Sequence, residues 1–113
     1  VTFEPGKLFK INEYFWLLFP TKETAAARPL PRAGHAADAA FADSASAVGW
    51  ASYWSKQLDC TVSFISEGDT IMIVEVFDIQ VKVINQEGKG GWINFPADKP
   101  WNKGTITEIS NDI

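Results

Sequence analysis

Ser66-Glu67-Gly68-Asp69-Thr70-Ile71-Met72-Ile73-Val74-Glu75-Val76, followed by Ile79 to Asn85 and then by Glu87-Gly88-Lys89-Gly90-Gly91-Trp92-Ile93, is the stretch whose reading decides the fold. Ser66 to Asp69 is a turn in which Gly68 is free to take a positive φ. Ile71 and Ile73 fall on one face of the strand that follows, and Met72, Val74 and Val76 on the other. Ile79, Val81 and Val83 alternate with Gln80 and Lys82, the pattern of a half-buried strand. Asn85 to Gly91 is a glycine-rich hairpin, and Trp92-Ile93-Asn94-Phe95 is a short strand behind it. The order turn, strand, strand, hairpin, strand describes a small, strongly bent antiparallel sheet.

Working outward, Lys7 to Ile11 and Thr61 to Phe64 alternate as strands, and Thr105 to Ile109 is a closing strand. Pro96 to Pro100 is a tight link. Tyr14-Phe15-Trp16-Leu17-Leu18-Phe19 is apolar at both parities, and such a strand is covered on both faces. Its second cover is either the middle segment or a partner chain. Pro20 ends it, because proline cannot continue a central ladder.

Residues 21–47 change character: eleven of the residues from 24 to 47 are alanine, and Pro29, Pro31 and Gly34 lie among them. Each proline pushes its predecessor out of the helical region, so Arg28 to Arg32 reads as extended. This is an insertion that buries little, either a tolerated surface segment or an arm that docks on a neighbour. Ser44 to Leu58 reads as a helix. Asp43 or Ser44 caps it, and Ala47, Ala51, Trp54 and Leu58 follow at helical spacing. Gly49 weakens that helix by about 1 kcal/mol relative to alanine.

Five or six short strands at this spacing suggest a small barrel. Residues 67–95 resemble the core of an SH3-like barrel of the bacterial type. The resemblance lies in Gly68-Asp69 before a hydrophobic strand, Val81-Lys82-Val83, Gly88-Lys89-Gly90-Gly91 and Trp92-Ile93. It implies a single mostly β domain over residues 1–113, with the Ala-rich insertion at about 21–58 and one short helix. The opening motifs of both the bacterial and the peptide-binding eukaryotic types are absent. The resemblance further implies a ligand groove lined by aromatics, in which Trp92 takes the position of the family's tryptophan. Phe95, Trp101, Tyr53 and Trp54 are the rings that would join it. The competing reading puts those rings in the core.

The 113 residues carry a net charge of −4, and the whole deficit lies in residues 51–113, with five basic and nine acidic side chains. No basic stripe marks a nucleic-acid surface, and the same balance disfavours an anionic membrane. Cys60 is the one cysteine, which fits a reducing, cytoplasmic setting. His35 is the one histidine and lies in the insertion, without a rigid neighbour to orient it. One His and one Cys do not build a structural zinc site. Asp59 beside Cys60 works against a reactive thiolate. No phosphate-binding loop and no metalloprotease or hydrolase signature is present. The expectation is therefore a non-catalytic module without cofactor or metal, binding a peptide or partner protein. The alternative is an assembly subunit that self-associates through residues 14–19 and the insertion.

Overall fold

A computed structural model describes residues 3–27, 40–41, 43–95 and 104–109. The strands are β1 (Leu8–Ile11), β2 (Phe15–Leu18), β3 (Ala40–Phe41), β4 (Ser63–Ile65), β5 (Thr70–Phe77), β6 (Gln80–Asn85), β7 (Gly90–Asn94) and β8 (Ile106–Ile109). The helices are α1 (Lys22–Ala27) and α2 (Ser44–Leu58). β5, β6 and β7 form a meander, and β1 pairs antiparallel with β5 on one side and β8 on the other. The resulting five-stranded sheet has the order β7-β6-β5-β1-β8, and a second sheet has the order β3-β2-β4. The mostly β class stands. The closed barrel implied by the resemblance does not, because β7 and β8, the two ends of the larger sheet, do not pair among the described residues. No helix among the described residues is long and apolar enough to cross a membrane.

Local chemistry sets the turns. The Ile11 N–H donates to Asp69 O, and the Gly68 N–H donates to Ile11 O. Gly68 adopts φ +91°, a conformation that only glycine takes without strain. Asp69 closes its own turn by accepting the Ser66 N–H at 3.0 Å. Asn85 organises the next hairpin: its Oδ1 accepts the N–H groups of Glu87 and Lys89. One expected facing is corrected. The register slips between Ile73 and Glu75, so Val76 pairs with Val81. The bulge adds a residue and moves Val76 to the opposite face from Met72.

β2 lies between two apolar cores. Trp16 and Leu18 enter the first, with Phe9, Ile71, Val83 and Phe95. Leu17 and Phe19 enter the second, with Ala51, Trp54, Val62 and Trp92. α2 is thus the cover that the doubly apolar strand requires, and it comes from the chain itself. Trp16 to Phe19 are buried on both faces, while Tyr14 and Phe15 at the start of the same stretch are half-buried.

The two sheets meet where β2 ends. The Phe19 N–H donates to Trp92 O at 2.8 Å and the Trp92 N–H donates to Phe19 O at 2.7 Å. The approach requires a glycine at 91, since a Cβ there would stand 2.6 Å from Phe19 O and 2.8 Å from Leu18 Cγ. In α2, by contrast, a Cβ at Gly49 meets nothing within 4 Å. Two alanine substitutions therefore act with opposite signs in urea denaturation. Gly91→Ala lowers stability by about 2–3 kcal/mol, the upper part of the overpacking range. Gly49→Ala raises it by up to about 1 kcal/mol.

Candidate interaction surface

The surface begins with the cap of α2. Asp43 accepts the Ser46 N–H at 2.7 Å and the Ser46 hydroxyl at 3.1 Å, satisfying one of the helix's unpaired donors. The helix ends at Asp59, whose left-handed backbone reverses the chain. Ser55 fastens the exit: its hydroxyl donates to Ala51 O at 2.7 Å and accepts the Val62 N–H at 2.9 Å. Between these ends Ala47, Ala51 and Trp54 form the buried stripe. They pack α2 over β2 and β4.

Trp50 and Tyr53 stand one turn apart on the flank of that stripe and remain 46% and 47% exposed. They belong to a continuous ladder of rings. Phe41 of β3 stacks on Trp50, with centroids 6.2 Å apart and planes at 8°. Trp50 meets Tyr53 edge-on at 5.4 Å, and Tyr53 meets Trp54 edge-on at 5.0 Å. Trp54 is buried and roots the ladder in the second core. Each such contact adds about 0.5–1.5 kcal/mol beyond area burial, so the exposed rings are held rather than free to turn.

The same face is electrically quiet. Residues 44–55 contain no charged side chain, and Lys56 is the first in the helix. A helix that merely faces water carries charged and polar residues there. α2 instead presents aromatic, small and hydroxyl side chains, with Val48 exposed on its other flank.

Of the rings expected to form one groove, four are described, and they do not share one exposed face: Tyr53 and Trp54 touch, Trp54 and Trp92 share the second core, and Phe95 lies in the first. Trp92 is 6% exposed and sits in the second core, and Phe95 is 3% exposed and sits in the first. Trp54 is buried as well. An exposed groove built on Trp92 is therefore corrected, because the outward face of β7 is occupied by the chain's own helices. Tyr53 is the described member of the set that meets solvent, and Trp101 and His35 lie outside the described residues. Sequence reasoning missed Trp50 and Phe41. Trp50 was legible, since it stands three residues before Tyr53 and off the Ala47–Ala51–Trp54 stripe. Phe41 was not, because its place beside Trp50 depends on β3 pairing with β2.

Among the described residues no three His, Cys, Asp or Glu side chains gather into a group that would hold a metal. Cys60 is half-buried at the edge of the second core. Burial, and secondarily the charge of Asp59, push its thiol above the usual range. No protein-family model matches this chain, and no curated protein or solved structure does either.

The Cys60 environment generates a pH prediction. Folding favours the neutral thiol, so its contribution to stability is present below the unfolded thiol's pKa. It is lost as the pH rises through the higher folded value. Iodoacetamide labelling at pH 8 runs more slowly in the native protein than in urea, and the native rate keeps climbing after the unfolded rate has levelled. Equal labelling curves in the two states would contradict the shielding.

Proposed function

We propose that this chain is a non-catalytic interaction module on an SH3-like scaffold, and that it meets a protein or peptide partner through aromatic side chains. The observation that carries the reading is the uncharged face of α2, on which Trp50 and Tyr53 stand half-exposed and braced by Phe41 and Trp54. Interface cores are depleted of charge and enriched in Trp and Tyr. Rigid aromatic anchors supply most of the binding energy in such contacts and lose little side-chain entropy on docking.

The scaffold part of the proposal draws support from the meander β5-β6-β7. It carries the Gly68-Asp69, Val81-Lys82-Val83, Gly88 to Gly91 and Trp92-Ile93 positions of the resemblance in their expected order. The acidic balance argues against nucleic acid. The single cysteine supports a reducing, cytoplasmic setting. The contact residues differ from those that the resemblance implies: they lie on the inserted segment, on the outside of its helix.

The test is a double variant, Trp50→Ala with Tyr53→Ala. Truncating one anchor of this kind costs about 2 kcal/mol or more, so affinity for a purified partner falls at least about thirtyfold even where only one of the two rings is such an anchor. Circular dichroism stays unchanged, because neither ring is a core residue. A partner whose affinity is indifferent to the double variant would refute the assigned surface. Sedimentation at rising concentration separates the competing outcome: self-association abolished by the same variant would make the partner a second copy of the chain.

A further inference from the structure

Among the described residues, α1 is a short helix with few side-chain contacts. It has six residues, and isolated helices shorter than about 12 residues are marginal in water. Of its described side chains only Ala25 is buried. Thr21 and Thr24 cap it reciprocally, each backbone N–H donating to the other's hydroxyl at 3.1 Å. That cap orders the first turn but ties it to nothing outside.

Among the described residues, two polar or cationic side-chain contacts attach α1 to the sheet, beside the packing of Ala25 in the second core. The Asn94 amide donates to Ala25 O at 3.0 Å, and it is itself oriented by the Gln80 side chain, which donates to Asn94 Oδ1 at 3.0 Å. The Lys22 ammonium lies 4.3 Å from the centroid of the Phe77 ring. α1 packs across β6 and β7. Trp92 is two residues from Asn94 on that same outward face of β7, and it shares the second core with Ala25. Phe19, Leu17 and Trp54 belong to the same core.

We infer that α1 is a releasable cover over Trp92 and Asn94, opening as a unit while the five-stranded sheet stays folded. Among the described residues its closed state rests on one amide–carbonyl bond, one cation–π contact and one buried methyl group. The β5–β6 ladder beneath it rests on a long run of backbone pairs. Segments with few buried apolar contacts open at the low end of a protein's range of opening free energies. Release exposes Trp92 and frees the Asn94 amide from Ala25 O. The inference is independent of the α2 surface, since Trp50 and Tyr53 belong to another helix.

Native-state hydrogen exchange on the full chain by NMR tests it. The Ala25 amide, which donates to Thr21 O, and the Trp92 indole N–H exchange at least about tenfold faster than the Ile73 and Val83 amides. The Trp16 indole, which donates to Glu13 O and lies in the first core, serves as the internal reference and exchanges with the sheet. Lys22→Ala accelerates exchange at Ala25 and Trp92 by about two- to fivefold, the factor that one exposed cation–π contact is worth. It leaves Ile73 and Val83 unchanged. Exchange of α1 at the rate of the sheet overturns the inference. So does acceleration by Lys22→Ala at all sites alike. Fast α1 amides above a Trp92 indole that stays locked would show that α1 does not cover it, and would overturn the inference as well.

Discussion

The pair of backbone hydrogen bonds between Phe19 and Trp92 is the constraint on which the rest of this structure depends. It ties the end of a doubly apolar strand to the last strand of the meander, so that two sheets behave as one body. The tie exists because Gly91 has no side chain, and a Cβ there would overlap both the Phe19 carbonyl and Leu18. Once the strands are joined, side-chain alternation does the rest. Trp16 and Leu18 must enter one core, while Leu17 and Phe19 must enter a second. A strand with two buried faces calls for two layers, and α2 supplies the second.

This arrangement makes sense of the long excursion between β1 and β5. A connection of more than about 15 residues in a compact domain usually has structure or function of its own. Here the chain leaves at Ile11 and returns at Gly68 and Asp69, which bond to Ile11 through the backbone. The Asn12 side chain adds a further clamp by donating to Gly104 O and to the Thr107 hydroxyl. With its two ends pinned together, the excursion pairs β3 and β4 beside β2, lays α2 over β2 and β4 and α1 across β6 and β7, and gains a core of its own. The larger sheet then acts as a base, and the inserted helices face outward.

The aromatic residues divide accordingly. Trp16, Phe9 and Phe95 fill the first core, and Trp54 and Trp92 belong to the second. Trp50 and Tyr53 are left on the flank of α2, where a helix in contact with water alone would carry lysine and glutamate. Burial of Trp54 and half-burial of Phe41 keep those two rings in fixed orientations. Rigid rings on an uncharged face are suited to docking, whereas Cys60 and the scattered carboxylates form no reactive constellation among the described residues.

Much of this was readable in the chain itself. The meander followed from period-two alternation, α2 from a cap at Asp43 or Ser44 and an apolar spacing of four, three and four residues, and the need for a second layer from the parity of Tyr14 to Phe19. Those features are local, because dihedral preference and side-chain direction repeat within a few residues. α1 escaped notice because an alanine-rich hexamer has no periodic face to read, and its helix is fixed by Asn94, 69 positions away. The facing of Val76 depended on a bulge that pairing with β6 creates. Whether Trp92 met water or the core was beyond any local pattern: its strand presents it outward, and only the folding of distant helices over that face decides that outward means buried.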